Sequence, residues 1–166
     1  MGFCMGGALT MGALAASDHL VAGAPFYGVN FDLFKMEDLK GKNVQGHFGA
    51  LDTMEGFSDP ATGEKLALDM FAANGTDDDQ QTFIYPGVGH AFMNDSPAPF
   101  DSFESRQETM GFPPFDQAQA DHAWMRLLTF LGEHLGGKVI SAPIFGDGPE
   151  FVSKEQYIGE REARLK

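Results

Sequence analysis

The chain has one cysteine, one tryptophan, three tyrosines and only 11 basic residues among 166, and each shortage closes off a class of protein. A single thiol cannot form an intramolecular disulfide and matches no multi-cysteine metal pattern, so a reducing, cytoplasmic setting is expected. Against the 11 basic residues stand 24 acidic ones, for a formal net charge of −13. A field of that sign repels phosphate backbones and anionic lipid, which argues against nucleic acid and membrane surfaces as partners. No apolar run reaches the ~18 to 20 residues that cross a bilayer, and no basic-then-apolar leader opens the chain.

What is present is material for one core. Hydrophobic residues make up 43%, among them 16 Phe, which excludes a disordered chain, and the length suits a single domain. That domain is expected over 1–136. The stretch 137–166, interrupted by Gly and Pro and then charged, reads as a tail, extended or partly disordered. There is no internal repeat.

Along the chain, residues 4–16 are rich in Gly, Ala, Met and Leu and read as a buried helix pressed closely on a sheet. Glycines at 6, 7 and 12 would each weaken an isolated helix by up to ~1 kcal/mol, so close packing must favour them. The runs 19–28, 44–51 and 81–85 read as strands. Residues 32–39 suit one or two helical turns. Asp59-Pro60 caps and starts a helix through Leu66, Met70 and Ala73 that stops at Gly75. After a polar turn at 76–80, the third run leads into Gly87-Val88-Gly89-His90. The interval 91–115, rich in Pro and Phe and without a sustained period, reads as a long loop of the kind that forms lids or pocket walls. Asp116 with Gln119 resembles a capping box, and Ala120, Trp124, Leu127, Leu128, Leu131 and Leu135 share one helical face until Gly136. Helices alternating with strands predict an α/β fold, a parallel sheet flanked by helices. Reactive groups in such sheets gather at the C-terminal ends of strands, where Cys4, Asp52 and His90 all fall.

Gly2-Phe3-Cys4-Met5-Gly6-Gly7 has the spacing of a nucleophile elbow, the turn that lifts a reactive side chain from a strand onto a helix. A helix N-terminus and an imidazole both favour thiolate over thiol. His90 would act as base and then as acid, with Asp52 orienting the imidazole and the Met5 N–H as one oxyanion donor. Gly2 and Gly6 would relieve crowding at the turn, and Gly7 would let the helix pack closely. The competing readings are a Cys4 that is a small buried hydrophobe, an Asp52 that caps a turn with Asp59 or Asp95 as acid instead, and a structural His90. His47 lies inside a strand, and His122 and His134 are twelve residues apart, too far for an i, i+4 metal pair. Asp77-Asp78-Asp79 lacks the spacing of a calcium loop. No metal site is expected.

These residues resemble the dienelactone hydrolase family. GFCMGG is similar to its elbow, GHFGALD to its acid-bearing strand, and YPGVGHAFMND to its histidine loop, followed by a helix with HAWMRLLTFLGEHL; the likeness runs over residues 2–135. The resemblance implies an α/β-hydrolase fold, a Cys4, His90 and Asp52 triad, and hydrolysis of a small-molecule ester or lactone through a thioester, with no metal or organic cofactor. Family members place about half of the domain before the elbow, including early strands, the second oxyanion donor and an acidic side chain at the resting thiol. The chain is therefore expected to be a C-terminal portion of such a hydrolase, weak or inactive alone, with an exposed sheet edge open to self-association. Enzymes acting on dienelactone use an arginine four residues after the histidine; here Asn94 stands there, which counts against an anionic dienelactone. The alternative function is a non-catalytic fragment acting by association or by binding a small ligand.

Overall fold

Short apolar runs bounded by Gly and Pro become parallel strands in the computed structural model, which describes residues 1–75 and 81–135. The turn at 76–80, the stop at Gly136 and the tail lie outside the described residues. Strand β1 is Gly2–Phe3, β2 Ala22–Gly23, β3 Pro25–Phe26, β4 Asn43–Gly49 and β5 Gln81–Tyr85. Helices α1 Met5–Ala16, α2 Pro60–Asn74, α3 Phe103–Met110 and α4 Gln117–His134 complete the frame. All strand pairs are parallel, with β1 against β3, both β2 and β3 along β4, and β5 on the other side of β4. No described helix is long and apolar enough to cross a membrane.

The run 19–28 is not one strand. It divides into β2 and β3, although the register Ala22↔Asn43, Gly23↔Val44 and Phe26↔His47 continues across the break. Pro25 has no N–H to donate, so the ladder is interrupted where it stands. The long interval 91–115 also differs from expectation, because α3 lies within it. The Ser102 hydroxyl accepts from the Ser105 N–H while the Ser105 hydroxyl accepts from the Ser102 N–H, and Gly111 closes the helix at φ 73°. Its sequence FESRQETM is polar on nearly every side, so no period marks it.

Expectation and structure agree more closely elsewhere. Residues 32–39 supply two 3-10 turns, Phe31–Leu33 and Met36–Leu39. Asp59 precedes α2, but its carboxylate accepts from the Gly56 N–H and the Thr62 hydroxyl rather than from a helix N–H. Asp116 accepts from the Gln119 N–H at the start of α4. On α4 the buried positions are Ala120, Ala123, Leu127 and Phe130, whereas Leu128 and Leu135 are exposed.

The alternation of β4 divides the core. Val44 and Phe48 face a cluster with Met11, Leu14, Leu66 and Met70 of α1 and α2. On the opposite face Phe26, Tyr85, Phe92, Leu127 and Phe130 pack beneath α4. His47, fully buried, belongs to that second side: its ring stacks on Phe26 at 4.1 Å, Nε2 lies 3.0 Å from Gln45 Oε1, and Nδ1 lies 2.8 Å from the Tyr85 hydroxyl. An amide oxygen only accepts, so Nε2–H donates to Gln45 and Nδ1 accepts from Tyr85. Burial first, then the Arg126 charge, holds the His47 pKa well below its usual value. Burial also raises the Tyr85 hydroxyl to about 12.

A histidine kept neutral in the fold but free to protonate in the unfolded chain removes stability as pH falls through ~6.5. In urea titrations His47→Leu should be less stable than wild type at pH 8, by ~1 to 3 kcal/mol for the orphaned Gln45 and Tyr85 groups. The gap should narrow at pH 5. A gap independent of pH would show that His47 does not titrate on unfolding.

Candidate active site

The backbone reverses at Cys4, between the end of β1 and the start of α1, with φ 53° and ψ −122°. A non-glycine residue in such a sparsely populated region costs ~1 to 3 kcal/mol and persists only where its surroundings hold it. Here the Cys4 N–H donates to the Phe26 carbonyl at 2.9 Å, and the Cys4 carbonyl accepts from the Gly7 and Ala8 N–H groups at 2.8 and 3.3 Å. The turn closes because hydrogen atoms stand where side chains would collide. A Cβ on Gly2 would lie 2.0 Å from the Gly6 carbonyl oxygen, and one on Gly28 would lie 2.2 Å from the Cys4 oxygen. The crowding expected at Gly6 is not there, since a Cβ on Gly6 would meet nothing within 4 Å; Gly7, by contrast, lies tight against the Gly28 carbonyl. The Met5 N–H opens α1, where helix geometry offers it no intrahelical acceptor.

Asp52 and His90 are delivered by neighbouring strands. Beyond β4 and β5 the backbones stay joined, with the Ala50 N–H donating to the Tyr85 carbonyl at 2.8 Å and the Leu51 N–H to the Val88 carbonyl at 2.9 Å. Gly49 permits this approach, because a Cβ there would lie 2.6 Å from the Val88 oxygen. The acid and the imidazole are thus held mainly by main-chain contacts.

The three side chains meet. Cys4 Sγ lies 3.2 Å from His90 Nε2, and His90 Nδ1 lies 2.9 Å from Asp52 Oδ2. Asp52 Oδ1 accepts from the Met54 N–H at 3.1 Å. Asp52 and His90 are buried, whereas Cys4 is half-buried. Among the described residues neither Asp59 nor Asp95 bonds to His90. Asn94 turns its Oδ1 to the Ser96 N–H of its own loop. Chemically, a thiol so placed can pass its proton to the imidazole and become a thiolate, while a carboxylate on Nδ1 leaves Nε2 free to accept.

Several residues around this centre were not singled out from the sequence. The Ser58 hydroxyl lies 3.1 Å from His90 Nδ1 and is fully buried. The Tyr27 ring stands edge-on to the His90 ring at 5.2 Å, Phe112 lies at 4.9 Å and Phe57 at 6.5 Å. Burial, with the neighbouring Cys4 charge adding to it, raises the Tyr27 pKa, opposed by a hydrogen bond with the Met93 backbone and by the charge of Arg106. Arg106 on α3 donates from Nη2 to the Pro113 carbonyl at 3.0 Å, and Pro113 packs where a Gly89 Cβ would stand. Arg106 is buried, which lowers its pKa, and its Nε and Nη1 have no hydrogen-bond partner among the described residues, although the guanidinium lies over the Phe103 ring. Backbone strain marks the same place: Cys4, Tyr27 at φ 35° and Ala91 at φ 59° are the non-glycine residues with positive φ among those described. Only the Ser102/Ser105 pair and Gly111 could have signalled α3 in advance; nothing local marks Ser58. No three His, Cys, Asp or Glu side chains among the described residues come together as metal ligands.

No curated protein matches this sequence. Among solved structures, one from Klebsiella pneumoniae, provisionally named a dienelactone hydrolase, superposes with a TM-score of 0.55 at 23% identity, covering 80% of this chain and 50% of its own. The chain therefore spans about half the length of that structure and shares its α/β fold. Residues 1–135 match the Dienelactone hydrolase family, and with the elbow, acid strand and histidine loop all inside that match, the chain belongs to this family.

Proposed function

We propose that the chain carries the reacting half of a hydrolase that cleaves a small ester or lactone with Cys4 as nucleophile. His90 Nε2 takes the thiol proton, and Sγ attacks the carbonyl carbon. The carbonyl oxygen becomes an oxyanion, to which the Met5 N–H donates. Collapse breaks the C–O bond, and His90 gives its proton to the departing alkoxide oxygen, leaving a thioester on Cys4. Water then loses a proton to His90 as its oxygen attacks the thioester carbon. Collapse breaks the C–S bond, the acid departs, and the proton returns to sulfur. Asp52 keeps Nδ1 protonated and stabilises each imidazolium stage. The observation carrying this reading is the contact chain of 3.2 Å from Sγ to Nε2 and 2.9 Å from Nδ1 to Oδ2, mounted on a strained strand-to-helix turn.

In this reading Met5 supplies one oxyanion donor, and losing one such donor costs ~10² to 10³ in rate. The reading also favours the reducing compartment that suits a reactive thiol.

With an activated aryl ester, intact mass should show one acyl group on the wild-type chain and none on Cys4→Ala. Turnover should fall ~10² to 10⁴-fold in His90→Ala, the usual contribution of a general base. Acylation that persists in Cys4→Ala would remove Cys4 from the mechanism.

A second reading, association through the sheet edge, has its own support. Among the described residues β1 bonds to a strand on one side only, and Met1, Met5 and Leu9 stand exposed beside it. Unpaired edges and exposed apolar patches favour pairing with another chain. Sedimentation should show association that rises with concentration and weakens in Leu9→Lys. A monomer at every concentration would set this reading aside.

A further inference from the structure

We infer that Ser58 is a positioning residue for His90, its buried hydroxyl acting beside Asp52 as a second acceptor for the proton on Nδ1. The inference deepens the proposed function and takes from it only that His90 serves Cys4 as a base. Nδ1 has two oxygen neighbours, Asp52 Oδ2 at 2.9 Å and Ser58 Oγ at 3.1 Å. An ionised carboxylate can only accept, so the ring nitrogen facing it carries the proton. Ser58 Oγ therefore meets an N–H, and its role there is to accept.

Both acceptors belong to one turn. The N–H groups of Phe57, Ser58 and Asp59 converge on the Met54 carbonyl at 3.1, 3.0 and 3.3 Å, and the Met54 N–H donates to Asp52 Oδ1 at 3.1 Å. That turn is fastened to the strand ends, with the Val29 N–H donating to the Phe57 carbonyl at 2.8 Å. Any motion of the turn moves the charged and the neutral acceptor together. Ser58 has no exposed surface, and among the described residues its side chain bonds only to His90. A buried hydroxyl is costly without a partner, and here the partner is the imidazole. Two oxygens at different positions around one N–H also restrict ring rotation more than one does. The chemical result is an imidazole locked as the Nδ1–H form, with Nε2 presented to Cys4.

The test needs no turnover. Cys4 is the only thiol, so its alkylation rate against pH reads the thiol and imidazole pair, and ¹H–¹⁵N correlations of the His90 ring read the tautomer directly. In the wild-type chain the neutral ring should be the Nδ1–H form; an Nε2–H ring would overturn the inference without any variant. Ser58→Ala should keep its fold and alkylate about two- to tenfold more slowly on the acid side of the profile, the range for loss of one neutral hydrogen bond. Ser58→Thr, which retains the oxygen, should restore the wild-type profile. In Asp52→Ala the Nδ1–H signal should weaken, and adding Ser58→Ala should abolish it. If Ser58→Ala leaves both readouts unchanged while His90→Ala alters the profile, Ser58 does not position the ring. A chain that hydrolyses no ester but shows these shifts would fail the proposed function and leave this inference standing; the reverse pattern would do the opposite.

Discussion

The close approach of backbones at the β1–α1 turn is the constraint from which the rest follows. A strand that runs into a helix with no intervening loop must reverse its peptide planes within one residue, and Cys4 takes that strained conformation. Two things hold it there: the pairing of β1 with β3, and the absence of side chains at Gly2 and Gly28. Because the strands are parallel, their C-terminal ends meet along one edge of the sheet. The same arrangement that puts Cys4 at the end of β1 puts Asp52 just beyond β4 and His90 just beyond β5.

Two buried histidines show how position decides chemistry. His47 lies within β4, closed in by Phe26, Tyr85 and Gln45, with a cationic Arg126 near. Burial and the Arg126 charge together oppose a positive charge there, so the ring stays neutral and serves in packing and in bonding Gln45 and Tyr85. His90 lies past the end of its strand, against a carboxylate on one nitrogen and a thiol on the other. The aromatic rings around it exclude water, which strengthens both contacts. Similar burial thus accompanies different surroundings, and the difference comes from the charge and hydrogen-bonding capacity of two or three neighbours.

Much of this was legible in the residues. The Gly spacing around Cys4 requires a tight turn, and Asp52 and His90 follow apolar runs that only a parallel sheet would bury. What escaped had a physical reason in each case. Pro25 breaks a strand whose hydrophobicity is continuous, because hydrophobicity reports burial and not ladder donors. Helix α3 is polar around its circumference, so its stability comes from its caps and from Arg106 reaching Pro113, neither of which leaves a period. Leu128 falls on the face that a wheel of six apolar residues suggests, yet the observed face is turned toward Ala123 and Phe130. Ser58 and Tyr27 reach His90 only through tertiary contact, and sequence distance gives no hint of it.

The main-chain bonds from Ala50 to Tyr85 and from Leu51 to Val88 separate two histories within one site. Asp52 and His90 are registered by peptide groups, so their spacing survives those changes of side chain that leave the Ala50 and Leu51 N–H groups and the bare Gly49 in place. The rings around His90 are side chains, Phe57, Tyr27 and Phe112, and of these only Phe57 sits on the turn that also bonds Asp52. Descendants of this chain could therefore exchange Tyr27 and Phe112, and with them the shape of the space beside His90, while inheriting the same contact between Asp52 and His90.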